Sequence, residues 1–187
     1  MCFPNKARKL LLLTLLAGAL SNCSMPLPGF SLLQTGSSGT PLASGETSNV
    51  HFFTKETLHN TGIALQSGQD YSLAVRILSN WVDLDIAENE NGEALNERGF
   101  DNSLMPIEML ELTKRARSNN WFELMLVQQS CSGQSLAGVT DLTFDEESNS
   151  YRYTASCDGA LSLFVNDTLG FYGNNIGYAN IAISRLD

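Results

Sequence analysis

Asn166, Asp167, Asn174 and Asn175 fall inside one short stretch, "NDTLGFYGNN", punctuated by Gly170 and Gly173 and followed by Gly177. Side chains of these types supply hard oxygen donors. A calcium-class cation takes about six to eight oxygens, at about 2.3–2.6 Å, drawn from carboxylates, amide oxygens and backbone carbonyls. Asp167 offers the charge, Asn174 and Asn175 offer neutral oxygens, and a looped backbone offers carbonyls. Adjacent residues of a strand point to opposite faces, so Asn174 and Asn175 converge on one point only where the chain leaves the strand. Gly170 and Gly173 permit the backbone such a coil needs, including positive φ. A plainer reading stands equally open on spacing alone: an Asx-rich turn that closes a long hairpin.

Other chemistry finds less support. "DLDIAENENGEA" from Asp83 has the acidity of an EF-hand, but Ala87 and Glu88 occupy the places of an oxygen ligand and a glycine, and Ala94 that of the bidentate glutamate. It reads as a solvated loop beside the first site. Glu146-Glu147 sits in a turn, where consecutive carboxylates face water rather than a glycosidic bond. Asn166-Asp167-Thr168 matches a glycosylation acceptor, a short pattern that carries little weight by itself. There is no Gly-x-Ser-x-Gly, no phosphate loop, and no histidine near a candidate nucleophile; His51 and His59 both lie in the N-terminal part. The expectation is a protein that is not an enzyme.

The elements that must hold the loop read as strands. "ALSLFV" precedes it and "ANIAIS" follows it. "TGIALQSGQDYSLAVRIL" gives two strands, 62–65 and 71–78, joined at Ser67-Gly68, the second alternating at Leu73, Val75 and Ile77. "WFELMLVQQS" predicts a strand buried on both faces, and "LTFDEESNSYRYTAS" a hairpin turning at 145–150. His51 to Phe53 opens the set. One helical segment is expected over 106–117, with Glu108 and Glu111 early and Lys114, Arg115 and Arg117 late, as the helix dipole prefers. That basic cluster reads as a solvated helix end. Short strands at regular spacing predict an all-β, antiparallel sandwich or jelly roll with one short helix.

Lys6, Arg8 and Lys9 precede the apolar run 10–20, half the roughly 20 residues a membrane span needs, so the opening reads as a secretory signal. Leu20-Ser21-Asn22-Cys23 resembles the lipobox of bacterial lipoproteins, in which the cysteine receives lipid and becomes the N-terminus; a plain cleaved signal with Cys23 incidental is the alternative. The resemblance implies a lipid-anchored protein of the bacterial cell envelope, at the outer membrane. Residues 23–49, rich in Ser, Gly, Thr and Pro, read as a flexible tether, leaving 50–187 as one folded domain. Cys131 and Cys157 remain after Cys2 and Cys23 are set aside, and in an oxidising compartment they predict one disulfide. Of the eleven basic residues three lie in the signal, so 8 face 20 acidic ones in the mature chain, a net charge of −12. Such a surface repels nucleic acid and suits cations or neutral ligands.

"LSLFVNDTLGFYGNNIGYANIAI" resembles the C-terminal calcium loop of the bacterial galactophilic lectins of the PA-IL type, matching at Asn166, Asp167, Gly170, Tyr172, Gly173, Asn174 and Asn175. Upstream, "TGIALQSGQDYSLAVRILSNWVD" is more loosely similar to that family's first strand pair and the Trp before its second loop. The resemblance implies a galactose-binding-like jelly roll holding one calcium ion, with two sugar hydroxyls completing the coordination. Carried over, Asp167, Asn174 and Asn175 are side-chain ligands that also touch the sugar, and Phe171 gives its carbonyl. A further carbonyl, counted on from Trp81, falls at Leu84 to within one residue. The family's His-Pro-Asp-Gln segment has no counterpart between Trp81 and Trp121, so galactose specificity is not implied. The resulting expectation is a calcium-dependent, lectin-like module for a neutral glycan. Its rival is a structural or interaction lipoprotein that keeps the metal as a staple.

Overall fold

The structure is a computed structural model, and it describes residues 39–187. The signal segment, Cys23 and most of the expected tether lie outside the described residues. Among the described residues ten strands build two five-stranded sheets. In chain order they are β1 (Thr40–Pro41), β2 (Thr47–Phe53), β3 (His59–Leu65), β4 (Asp70–Asp83), β5 (Leu124–Gln128), β6 (Ala137–Gly138), β7 (Thr143–Asp145), β8 (Ser150–Thr154), β9 (Gly159–Val165) and β10 (Asn175–Arg185). One sheet runs β1-β3-β9-β5-β6 and the other β2-β10-β4-β8-β7. Pairing is antiparallel except for the short parallel edge that β1 adds to β3. The molecule is therefore the all-β sandwich that the strand spacing predicts.

Period-two alternation drives the packing. Leu73, Ala179, Ile181 and Ile183 point inward from β4 and β10, and meet Leu65, Leu124, Leu126, Leu163 and Val165 from the opposite sheet in one sealed cluster. Burying each larger side chain of this kind is worth about 1.5–3 kcal/mol. β5 is buried at every position, as its unbroken apolar run implies. Its outer face, with Phe164 of β9, packs under Ala116, Leu58 and Leu136 in a second small cluster.

Three expectations need correction. The fold begins before Val50: β1 pairs from Thr40, Leu42 is buried, and β2 starts at Thr47. Ser and Thr in an edge strand look like linker composition until a partner strand accepts their backbone. Strands β3 and β4 are joined at Ser67-Gly68, but they belong to different sheets and are not a pair. No α-helix spans 106–117; the 3₁₀ segment Glu108–Thr113 takes its place, preceded by another at Asn102–Leu104. Nor is the basic cluster a solvated helix end. Lys114 is buried, donating from Nζ to the Asn119 carbonyl at 2.7 Å, and Arg115 lies 3.6 Å from the Phe164 ring centroid. Those tertiary contacts draw the chain off a helical path after Thr113. The hairpin at 145–150 forms as expected, with Asp145 opposite Ser150.

Candidate metal and ligand site

The loop from Asn166 to Asn174 does not close a hairpin. It leaves β9 in one sheet and enters β10 in the other, which is why it is longer than a two-residue turn. Asn166 anchors its start. Fully buried, it accepts from the Ala116 amide at 2.9 Å and donates to the carbonyls of Ala116 and Asn120, both at 2.8 Å. This residue, expected only as part of a donor-rich loop, is spent on holding segment 116–120. Tyr172 pins the middle: its hydroxyl donates to the Val165 carbonyl at 2.5 Å and accepts from Arg115 Nη1 at 2.9 Å. Burial pushes that hydroxyl up to about 12.

Neither Gly170 nor Gly173 adopts positive φ, and a Cβ at either would meet nothing within 4 Å. The glycine that is needed is Gly177, just inside β10, with φ 129° and no room for a Cβ, which would fall 2.6 Å from Trp81 Cδ1.

With both ends held, Asp167, Asn174 and Asn175 come together, and Asp83 at the end of β4 joins them. Asn175 pairs directly with Asp83 across β10 and β4. Asp83 Oδ1 accepts from Asn174 Nδ2 at 3.3 Å, and Asp167 Oδ2 from Asn175 Nδ2 at 3.1 Å. Asp167 Oδ1 takes the Thr168 amide at 2.6 Å. Both carboxylates are buried, at 6% and 3% exposure. Burial, then the charge of Asp167, pushes the Asp83 carboxyl up to about 7; burial also raises Asp167, against hydrogen bonds from Thr168 and Asn175 and the more distant charge of Arg115. The Oδ1 atoms of Asn174 and Asn175 are buried with no hydrogen-bond partner. A satisfied interior seldom leaves such oxygens alone.

The carbonyls implied by the resemblance sit in turns. That of Phe171 accepts from the Asn174 amide at 3.1 Å, which leaves one lone pair. Leu84 occupies a tight turn closed by reciprocal bonds between Asp83 and Ile86, and has φ 56°, a left-handed conformation that strains a leucine. Leu84 and Phe171 are exposed, at 66% and 56%, on the rim of a cleft that Met105, Leu110 and Trp121 also line.

Among the described residues no group of three or more His, Cys, Asp or Glu side chains is placed to hold a metal ion. The donor set here is of another kind: two carboxylates, two amide oxygens without partners, and nearby carbonyls. It fits a hard cation, which prefers oxygen and tolerates mixed ligands, and it does not fit a thiolate- or imidazole-binding metal. Asp83 was missed from sequence because its stretch fails as an EF-hand. Only the β4–β10 register carries it to the loop. The signal was its place two residues past Trp81.

The site defines an all-β sandwich with an oxygen-donor cluster at the crossing between its sheets. No protein-family model and no curated protein matches the chain. Among solved structures, the N-terminal domain of EclA, described as a PllA-like lectin, aligns with it at a TM-score of 0.44 and 20% identity, over 74% of this chain and 94% of that one.

Proposed function

We propose that this chain is an envelope-anchored lipoprotein whose sandwich domain binds carbohydrate with the help of calcium. The observation that carries the reading is the cluster itself: buried carboxylates beside unpartnered amide oxygens, at the edge of a solvent-open cleft. The resemblance of the Asn166–Asn175 loop to a calcium loop of galactophilic lectins supports it, as does the lipobox-like Leu20-Ser21-Asn22-Cys23 for the anchor. Asp167, Asn174 and Asn175 would hold the ion by side chains, and Phe171 and Leu84 by carbonyls. When bound, calcium would supply a positive centre for the hydroxyl oxygens of a sugar. Asp167, Asn174 and Asn175 then orient the sugar through hydrogen bonds. Leu84 and Phe171, exposed beside the cluster, present apolar surface to the less polar face of the ring. A neutral glycan suits a surface of net charge −12 better than a polyanion does.

The structural rival, with calcium as a staple, gains from the position of the cluster between the end of β4 and the loop entering β10. Solvent access separates the two: a staple needs no open coordination position, whereas the cluster borders an exposed rim. A glycan array run on the mature protein with calcium and with chelator tests the function. Calcium-dependent signals for neutral glycans are expected. A stabilising calcium effect with no glycan bound at high protein concentration would assign the staple instead.

A further inference from the structure

We infer that Asp83 is itself a metal ligand, so that the site holds its divalent cation on two carboxylates and is close to neutral when loaded. The inference rests on the calcium reading above and adds a side chain that the loop motif does not contain. Asp83 ends β4, is cross-strand neighbour to Asn175, and keeps one carboxylate oxygen 3.3 Å from Asn174 Nδ2. Asp167, the ligand implied by the motif, contacts the other asparagine of the same pair. Among the described residues neither carboxylate has an ion-pair partner.

Two buried like charges around shared amides are costly by themselves, and a cation between them turns repulsion into attraction. An independent observation points to the same place. Asn175 is 5% exposed, and its Oδ1, like that of Asn174, has no partner. Four side chains thus converge with more acceptor oxygen than the protein's own donors satisfy. The strained Leu84 holds the turn that follows Asp83, and the reciprocal Asp83–Ile86 bonds fix it.

The two negative charges of Asp83 and Asp167 match the two positive charges of a calcium-class ion. A neutral loaded site takes a polyol without a charge penalty. It gives an anionic sugar, such as a uronate, no surplus positive charge to bind.

The test uses the full mature chain, disulfide intact, in mildly alkaline buffer. Calcium affinity is measured by competition with a chromogenic chelator, and Tm is measured in excess chelator, for the wild type, Asp83→Asn and Asp83→Ser. Asp83→Asn should weaken calcium by at least about tenfold, since one full charge leaves the donor set, while raising Tm in chelator because the facing charges are gone. Opposite signs of this kind are not produced by a merely structural aspartate. Equal calcium affinity in wild type and Asp83→Asn would overturn the inference and leave the calcium reading standing. So would a variant that loses stability in chelator along with affinity, which would mean that Asp83 acts only through its turn. Should the wild type fail to bind calcium, the calcium reading falls and this inference with it.

Discussion

At the scale of single residues, three asparagines of one loop divide into two kinds of work. Asn166 is fully satisfied by segment 116–120, whereas Asn174 and Asn175 each keep an oxygen without a partner. Substitution should separate them. Asn166→Ala strands the Ala116 amide and two carbonyls in the interior, and is expected to cost about 2–4 kcal/mol in urea unfolding with or without calcium. Asp167→Ala should leave the chelated protein no less stable, because it removes a buried charge, yet abolish the gain in Tm that calcium brings. On the calcium reading proposed above, that gain would be about 2.7 kcal/mol with the ion at a hundred times its Kd. Asn174→Ala and Asn175→Ala should lower glycan affinity by more than they lower stability, measured by titration calorimetry beside thermal melts. A calcium gain that survived Asp167→Ala would remove that residue from the ligand set.

At the scale of elements, the crossing between β9 and β10 decides where the donors meet. Gly177 lets β10 pass close over Trp81, so Gly177→Ala must both strain φ and displace the indole; a loss of at least about 2 kcal/mol is expected. Gly173→Ala is the matched control. Its Cβ would enter open space from an ordinary backbone conformation, and stability should change by less than about 0.5 kcal/mol in the same unfolding experiment. If the two variants lost equal stability, the close approach would not be what fixes the strand. The 3₁₀ segment Glu108–Thr113 belongs to this scale as well. Ile107 at its N-cap and Met109 and Leu112 within it are exposed, so no apolar face of this segment packs down as that of a core-facing helix would.

At the scale of the whole molecule, the disulfide and the cluster occupy opposite ends of β9. Cys131 and Cys157 are joined with their Cα atoms 5.9 Å apart, before β9 begins at Gly159, while Asn166 and Asp167 follow its last residue, Val165. Reduction should therefore lower stability by about 3 kcal/mol, through the 26-residue separation that the bond closes, and leave calcium affinity within about twofold of the oxidised protein. A large fall in affinity on reduction, in protein still folded by near-UV circular dichroism, would show that the two ends are coupled. Residues 39–187 hold 8 basic and 20 acidic side chains, a net charge of −12, which gives a second expectation at this scale. Binding of a neutral glycan should depend little on salt, because no ion pair to the ligand is screened.

Alternation at Leu73, Val75 and Ile77, the unbroken apolar run of β5 and the turn at 145–150 were enough to specify strands and a sandwich, because burial of one face is written locally at a period of two. The type of chemistry was equally local: Asp167, Asn174 and Asn175 are hard oxygen donors wherever they fold. Sheet membership was not local. Whether β9 and β10 pair or cross depends on which partners bury them, so the sequence could not choose between a hairpin turn and a crossing. Asp83 is the sharpest case, more than eighty residues from Asp167 in the chain. Its approach follows from the β4–β10 register, which long-range packing sets. The helix over 106–117 failed for the same reason, since Lys114 and Arg115 follow Asn119, Trp121 and Phe164 rather than their own local pattern. Residue types and strand periods were thus determined by the chain alone, and the convergence of donors was decided by the tertiary structure, because it depends on contacts between segments distant in sequence.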